Sequence, residues 1–93
     1  MAGKFGIPIC PHGGGVGLCE YIQHVSMFDY LSVSGSLEGR FIEHVAHLHE
    51  HFANPIEIRN GRYMPPSAPG FSVDFIEGVL AEHEYPNGQQ WKV

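Results

Sequence analysis

The hydrophobic positions of this chain change their spacing along its length, and each change predicts a different element. Gly6-Ile-Pro-Ile-Cys10 is a short apolar run without alternation, the pattern of a strand covered on both faces of a parallel sheet. Pro8 offers no N–H to a ladder, which confines it to a strand start or an edge. The glycines of Gly13-Gly-Gly-Val-Gly17 come next and give the backbone freedom for a tight turn. From Val16 to about Phe28 the spacing becomes helical. Leu18, Ile22 and Val25 share one stripe, with Glu20, Gln23 and His24 mainly away from it. Tyr30–Val33 is β-prone and is broken by Ser34-Gly35-Ser36, after which Arg40–Val45 reads as a second short strand.

Residues 54–93 are punctuated differently. Pro55–Arg59 and Arg62–Met64 flank Asn60-Gly61, a strong signal for a two-residue hairpin turn. Pro65, Pro66 and Pro69-Gly70 stop any continuation. Gly70–Phe75 is expected to be a strand and Glu77–His83 a helical turn, although Ser72 could also cap a helix running to Glu82. The pattern divides the chain into residues 1–53, a strand–loop–helix–strand unit with parallel strands, and residues 54–93, an extension with hairpin and tail. One crossover helix is too little to cover two sheet faces, so the unit is expected to be part of a larger α/β domain.

Composition sharpens this reading. Only 16% of residues are charged, against roughly 25% in soluble domains, which suggests surfaces meant to be covered. Five basic and ten acidic residues leave a formal charge of −5 and argue against a nucleic-acid partner. No apolar stretch approaches the ~18 residues of a membrane span. Residues 1–5 lack the pattern of a secretory signal. Cys10 and Cys19 form no disulfide framework. The expectation is an intracellular chain, cytoplasmic first, with a mitochondrial location open.

Chemistry in α/β folds gathers at the carboxyl ends of parallel strands. His12 lies at such an end, and imidazole is the side chain type suited to acid/base work near neutral pH, although a lone loop histidine also suits a structural role. Glu43 lies near the end of the second strand, where it could meet His12 at one rim or be a simple surface charge. The glycine loop misses the third glycine of a dinucleotide fingerprint and the Lys-Ser or Lys-Thr of a phosphate loop, so a plain turn is the better reading. His44, His47, His49 and His51 crowd into EHVAHLHEHF. An extended backbone would put His47, His49 and His51 on one face, and a helix would put His47 and His51 one turn apart. Either spacing is usable by zinc. The nine-residue spacing of Cys10 and Cys19 adds no metal signal.

The stretch CPHGGGVGLCEYIQHVSMFDYLSVSGSLEGRFIEHVAHLHEHF, with IRNGRYMPPSAPGFS after it, resembles the C-terminal end of the L-fuconate dehydratases of the enolase superfamily. The likeness covers essentially the whole chain, with alanine common in the family at the place of Gly13. It implies the last part of a mandelate racemase-type (β/α)-barrel, with Met1–Phe5 ending the sixth helix. Gly6–Cys10 would be strand seven, Val16–Phe28 the next helix and Arg40–Val45 strand eight. The implied chemistry is a hydro-lyase reaction on a sugar acid: removal of the proton α to a carboxylate, an enediolate on Mg²⁺, and loss of the β-hydroxyl as water. His12 matches the family histidine that moves protons and assists the leaving hydroxide. Glu43 matches the strand-eight glutamate that hydrogen-bonds the substrate carboxylate region and helps stabilise the enediolate. The family's lysines, its three carboxylate metal ligands and the aspartate beside the histidine precede this segment, so Mg²⁺ has no ligands here. The chain is expected to be incomplete and inactive alone, to self-associate through exposed barrel faces, and to tolerate loss of the peripheral His49. The competing reading is a standalone binding module that uses its histidine cluster for metal.

Overall fold

The glycine loop sets the one long helix. Gly17 takes a left-handed conformation at φ 72°, which glycine adopts without steric cost. Its carbonyl accepts from the Tyr21 N–H at 3.1 Å. Helix α1, Leu18–Asp29, starts there and continues through a π-helical turn over Tyr30–Ser34. Gly35 ends it at φ 62°, donating its N–H to the Tyr30 carbonyl. The β-prone Tyr30–Val33 is therefore helical, because the preceding helix propagates through it at one added hydrogen bond per residue. Among the described residues of this computed structural model, 1–92, only Cys19, Ile22 and Phe52 are buried apolar side chains. The buried face of α1 carries Cys19, Glu20, Ile22 and Gln23, while Val25 is 40% exposed. The expected Leu18–Ile22–Val25 stripe is turned toward Cys19 because the loops that cover the helix pack there.

The two expected parallel strands are extended but form no ladder. Residues 7–14 and 40–46 run beside one another with a single backbone bond, Glu43 N–H to the Pro11 carbonyl at 3.2 Å. Pro8 and Pro11 each remove a donor from the first segment, so regular pairing has nothing to continue on. The Cys19 thiol holds the segments together from the helix side. It lies 3.4 Å from the Gly13 carbonyl and accepts from the Val45 N–H at 3.5 Å. Asp29 at the helix end pairs with Arg40 at 3.5 Å.

The hairpin is as its turn residues require. Strands β1, Glu57–Arg59, and β2, Arg62–Met64, pair antiparallel with Ile58 opposite Tyr63. Asn60 and Gly61 both have positive φ, 51° and 71°, the type I′ turn that matches strand twist. Gly70–Phe75 is not a strand. It contributes one antiparallel bridge, Phe52 to Phe75, flanked by Ala53 N–H to Asp74 O and Ile76 N–H to His51 O. The rings of Phe52 and Phe75 stack at 4.9 Å. Helix α2, Val79–His83, is the expected turn, shortened at its start.

These pieces do not make a sphere. The radius of gyration is 16.0 Å and the extents are 53 × 24 × 23 Å, whereas a compact chain of this length measures about 12 Å. Phe5, Phe28, Leu31, Leu37 and Phe41 are each more than half exposed. No helix among the described residues is long and apolar enough to cross a membrane.

Candidate functional site

His12 and Glu43 meet where the two extended segments end side by side. The His12 Nδ1 lies 2.6 Å from Glu43 Oε2, and the same oxygen accepts from the Gly13 N–H at 2.5 Å. The Gly13 amide, aided by the imidazole, holds the Glu43 carboxyl below its ordinary value. Glu43 is gripped by its backbone as well: its N–H bonds Pro11 O, and its carbonyl accepts from the Tyr63 hydroxyl at 2.8 Å. Burial pushes the Tyr63 phenol up, which keeps it a donor. The His12 side chain is 76% exposed, with its second nitrogen available to a ligand.

The glycine loop has a job that neither nucleotide pattern describes. A Cβ on Gly14 would lie 2.8 Å from His12 Cε1 and 2.9 Å from its Nε2, so the ring rests against bare backbone. That clearance is visible in the sequence as glycine beside histidine. Tyr63 left no such signal, since its partner is a backbone carbonyl twenty residues away.

The histidines do not share a face. His49–His51 forms a 3-10 turn, which breaks both the extended and the helical spacing. His47 is exposed, and His51 packs edge-on against the His83 ring at 4.9 Å. His49 alone turns inward. Its Nδ1 is 2.5 Å from Glu20 Oε1 and its Nε2 is 2.7 Å from the Val45 carbonyl. Glu20 is fully buried, and its Oε2 has no partner. His44 stacks on His49 with centroids 5.6 Å apart. Cys19, His44 and His49 each offer one ligand atom within 4.8 Å of the others.

Magnesium takes hard oxygen donors in a near-octahedral array. Among the described residues the one three-ligand group is sulfur and nitrogen, and the Glu43 carboxylate is already engaged by Gly13 and His12. The side chains present do not fit Mg²⁺. An open depression of about 330 Å³ lies under Phe52 and Phe75 and another of about 260 Å³ beside Pro65 and Pro66, and neither is lined by His12 or Glu43. The His12–Glu43 pair lies on an open rim.

A family model described as "Enolase C-terminal domain-like" matches residues 1–79. Mitochondrial enolase superfamily member 1 of Homo sapiens is 56% identical over 92 residues, 99% of this chain and 21% of that protein. L-galactonate dehydratase of Hypocrea jecorina is 48% identical over 93 residues, 98% of this chain and 20% of that protein. The crystal structure of the human mitochondrial protein superposes with a TM-score of 0.92 at 56% identity, covering 98% of this chain and 21% of that one. The chain spans about a fifth of the length of the curated relatives it matches.

Proposed function

The chain belongs to the enolase C-terminal domain-like family, as part of an α/β barrel, and from that premise we propose that it forms one sector of a sugar-acid dehydratase active site. The observation that carries this reading is the 2.6 Å contact between His12 and Glu43 on adjacent extended segments. A dehydratase must take a proton from carbon and return one to a departing hydroxyl. An imidazole oriented through one nitrogen and open at the other can do either.

Within the proposal, His12 is the proton-transfer group and Glu43 its positioning residue. The lowered Glu43 carboxyl remains an anion and accepts from Nδ1–H, which leaves Nε2 as the working atom. The resemblance assigns Glu43 to the substrate carboxylate instead. Oε2 is taken by Gly13 and His12, which supports orientation of the ring as the role of Glu43. Mg²⁺, on which superfamily members generally depend, would have to be held by residues other than these. L-fuconate and L-galactonate are the substrates to try, the second because a relative bears its name.

The test joins this chain in frame to the part of the human relative that precedes the match. The fusion should dehydrate a sugar acid in the presence of Mg²⁺, and His12→Asn should abolish turnover with the fold intact. Glu43→Gln should lower kcat and shift its pH profile with less effect on KM. The chain alone should give no turnover. A fusion indifferent to His12→Asn would overturn the reading.

A further inference from the structure

We propose that Cys19, His44 and His49 form a Zn²⁺ site, distinct from the His12–Glu43 rim and independent of the dehydratase reading. Three elements supply the ligands: helix α1, the second extended segment and the 3-10 turn. Their ligand atoms already lie within 4.8 Å of one another. Ligands at about 2.0–2.3 Å from a tetrahedral zinc lie about 3.3–3.8 Å apart, so the three must draw closer to share one ion. Thiolate with imidazole selects zinc over magnesium or calcium.

Glu20 is the independent observation. It is wholly buried, one oxygen is on His49 Nδ1 and the other has no partner. Histidine ligands commonly donate their second ring N–H to a carboxylate, which fixes the tautomer and aims the ring. With Nδ1–H on Glu20, the ligand atom of His49 is Nε2. That Nε2 faces the Val45 carbonyl at 2.7 Å. An ion on Nε2 takes the place of that contact, with the Val45 carbonyl turned aside. Binding would release the Cys19 thiol proton, and the +2 charge would meet one thiolate and one buried carboxylate. His44 is exposed and must swing from its stack on His49. The fourth position then opens toward solvent.

The full chain, reduced and stripped of metal, is titrated with Co²⁺ as a spectroscopic substitute, and Zn²⁺ affinity is read against a chromophoric chelator. One Co²⁺ per chain should bind with a thiolate charge-transfer band in the near ultraviolet, and Zn²⁺ should displace it. Cys19→Ser should remove the band and weaken Zn²⁺ at least about tenfold, and Glu20→Gln should weaken it about ten- to a hundredfold. The double change His47→Ala with His51→Ala should leave both readings as they were. If Cys19→Ser does not fold, His44→Phe at its exposed position serves, with an expected loss of at least about tenfold. A wild-type chain without the band, unchanged affinity in His44→Phe, or loss of binding in the His47/His51 double variant overturns the site.

Discussion

His49 holds Glu20 at 2.5 Å, and that carboxylate has no exposure to solvent. A histidine expected to be peripheral is thus, among the described residues, the side-chain partner of a fully buried carboxyl group. Breaking a buried pair by removing one member leaves the other uncompensated, at about 3–5 kcal/mol. His49→Ala should therefore remove most of the unfolding transition in thermal denaturation. His47→Ala, at an exposed position, should stay within about 0.5 kcal/mol. Equal effects of the two substitutions would show that Glu20 finds its compensation elsewhere.

Gly17 is a second point of sensitivity. Alanine there would carry φ 72° into the left-handed region and place its Cβ 2.7 Å from the Phe52 ring. The backbone strain alone is about 1–2 kcal/mol, and displacing the buried Phe52 ring adds about 1–3 kcal/mol. Gly17→Ala should lose stability by about 2–5 kcal/mol in sum. Urea denaturation with an unchanged midpoint would refute the packing of Phe52 on this loop.

The rim should respond to acid. A carboxyl whose folded value is depressed adds stability above its unfolded value, and that contribution disappears as pH falls through the folded one. For Glu43 the window lies below the ordinary glutamate range, with the Gly13 amide as the main cause. Proton NMR should show the Gly13 amide resonance moving with the Glu43 titration in that window. In Glu43→Gln that movement should be absent.

Exposed apolar residues bear on assembly. Phe5 at 70%, Leu31 at 79% and Phe41 at 73% exposure are more than a solitary small chain covers with its own polar surface. Self-association that hides these side chains is the expected outcome for the isolated chain. The apparent melting temperature should rise with protein concentration, and Leu31→Lys should weaken the rise. A sharp transition independent of concentration would rule this out.

Local chemistry was legible wherever the cause is local. Asn60-Gly61 specifies its turn through backbone conformation alone, and the glycines before Leu18 mark the helix start for the same reason. The strand readings failed at Gly6–Cys10 and Arg40–Val45 because a ladder depends on partners and donors, and Pro8 and Pro11 remove two of the latter. Tyr30–Val33 failed because helix propagation outweighs a weak β preference. That His12 and Glu43 would meet could be anticipated from the sequence, since each closes one of two segments expected side by side. Glu20 could not, because its polar position on a helix wheel points to solvent until loops arrive to cover it. The Cys19–His44–His49 group was hidden for a related reason: its members come from three separate segments and share no spacing.

Glu43 is tied down at three atoms: its N–H to Pro11, its carbonyl to Tyr63, and its Oε2 to Gly13 and His12. A residue held at three points has little freedom left to surrender when something approaches the rim. Its orientation is settled at the moment of folding, so an arriving ligand meets an electrostatic field that does not need to reorganise. The hairpin thereby reaches beyond its own two strands. Through one phenol it makes the aim of a distant imidazole a property of the folded backbone.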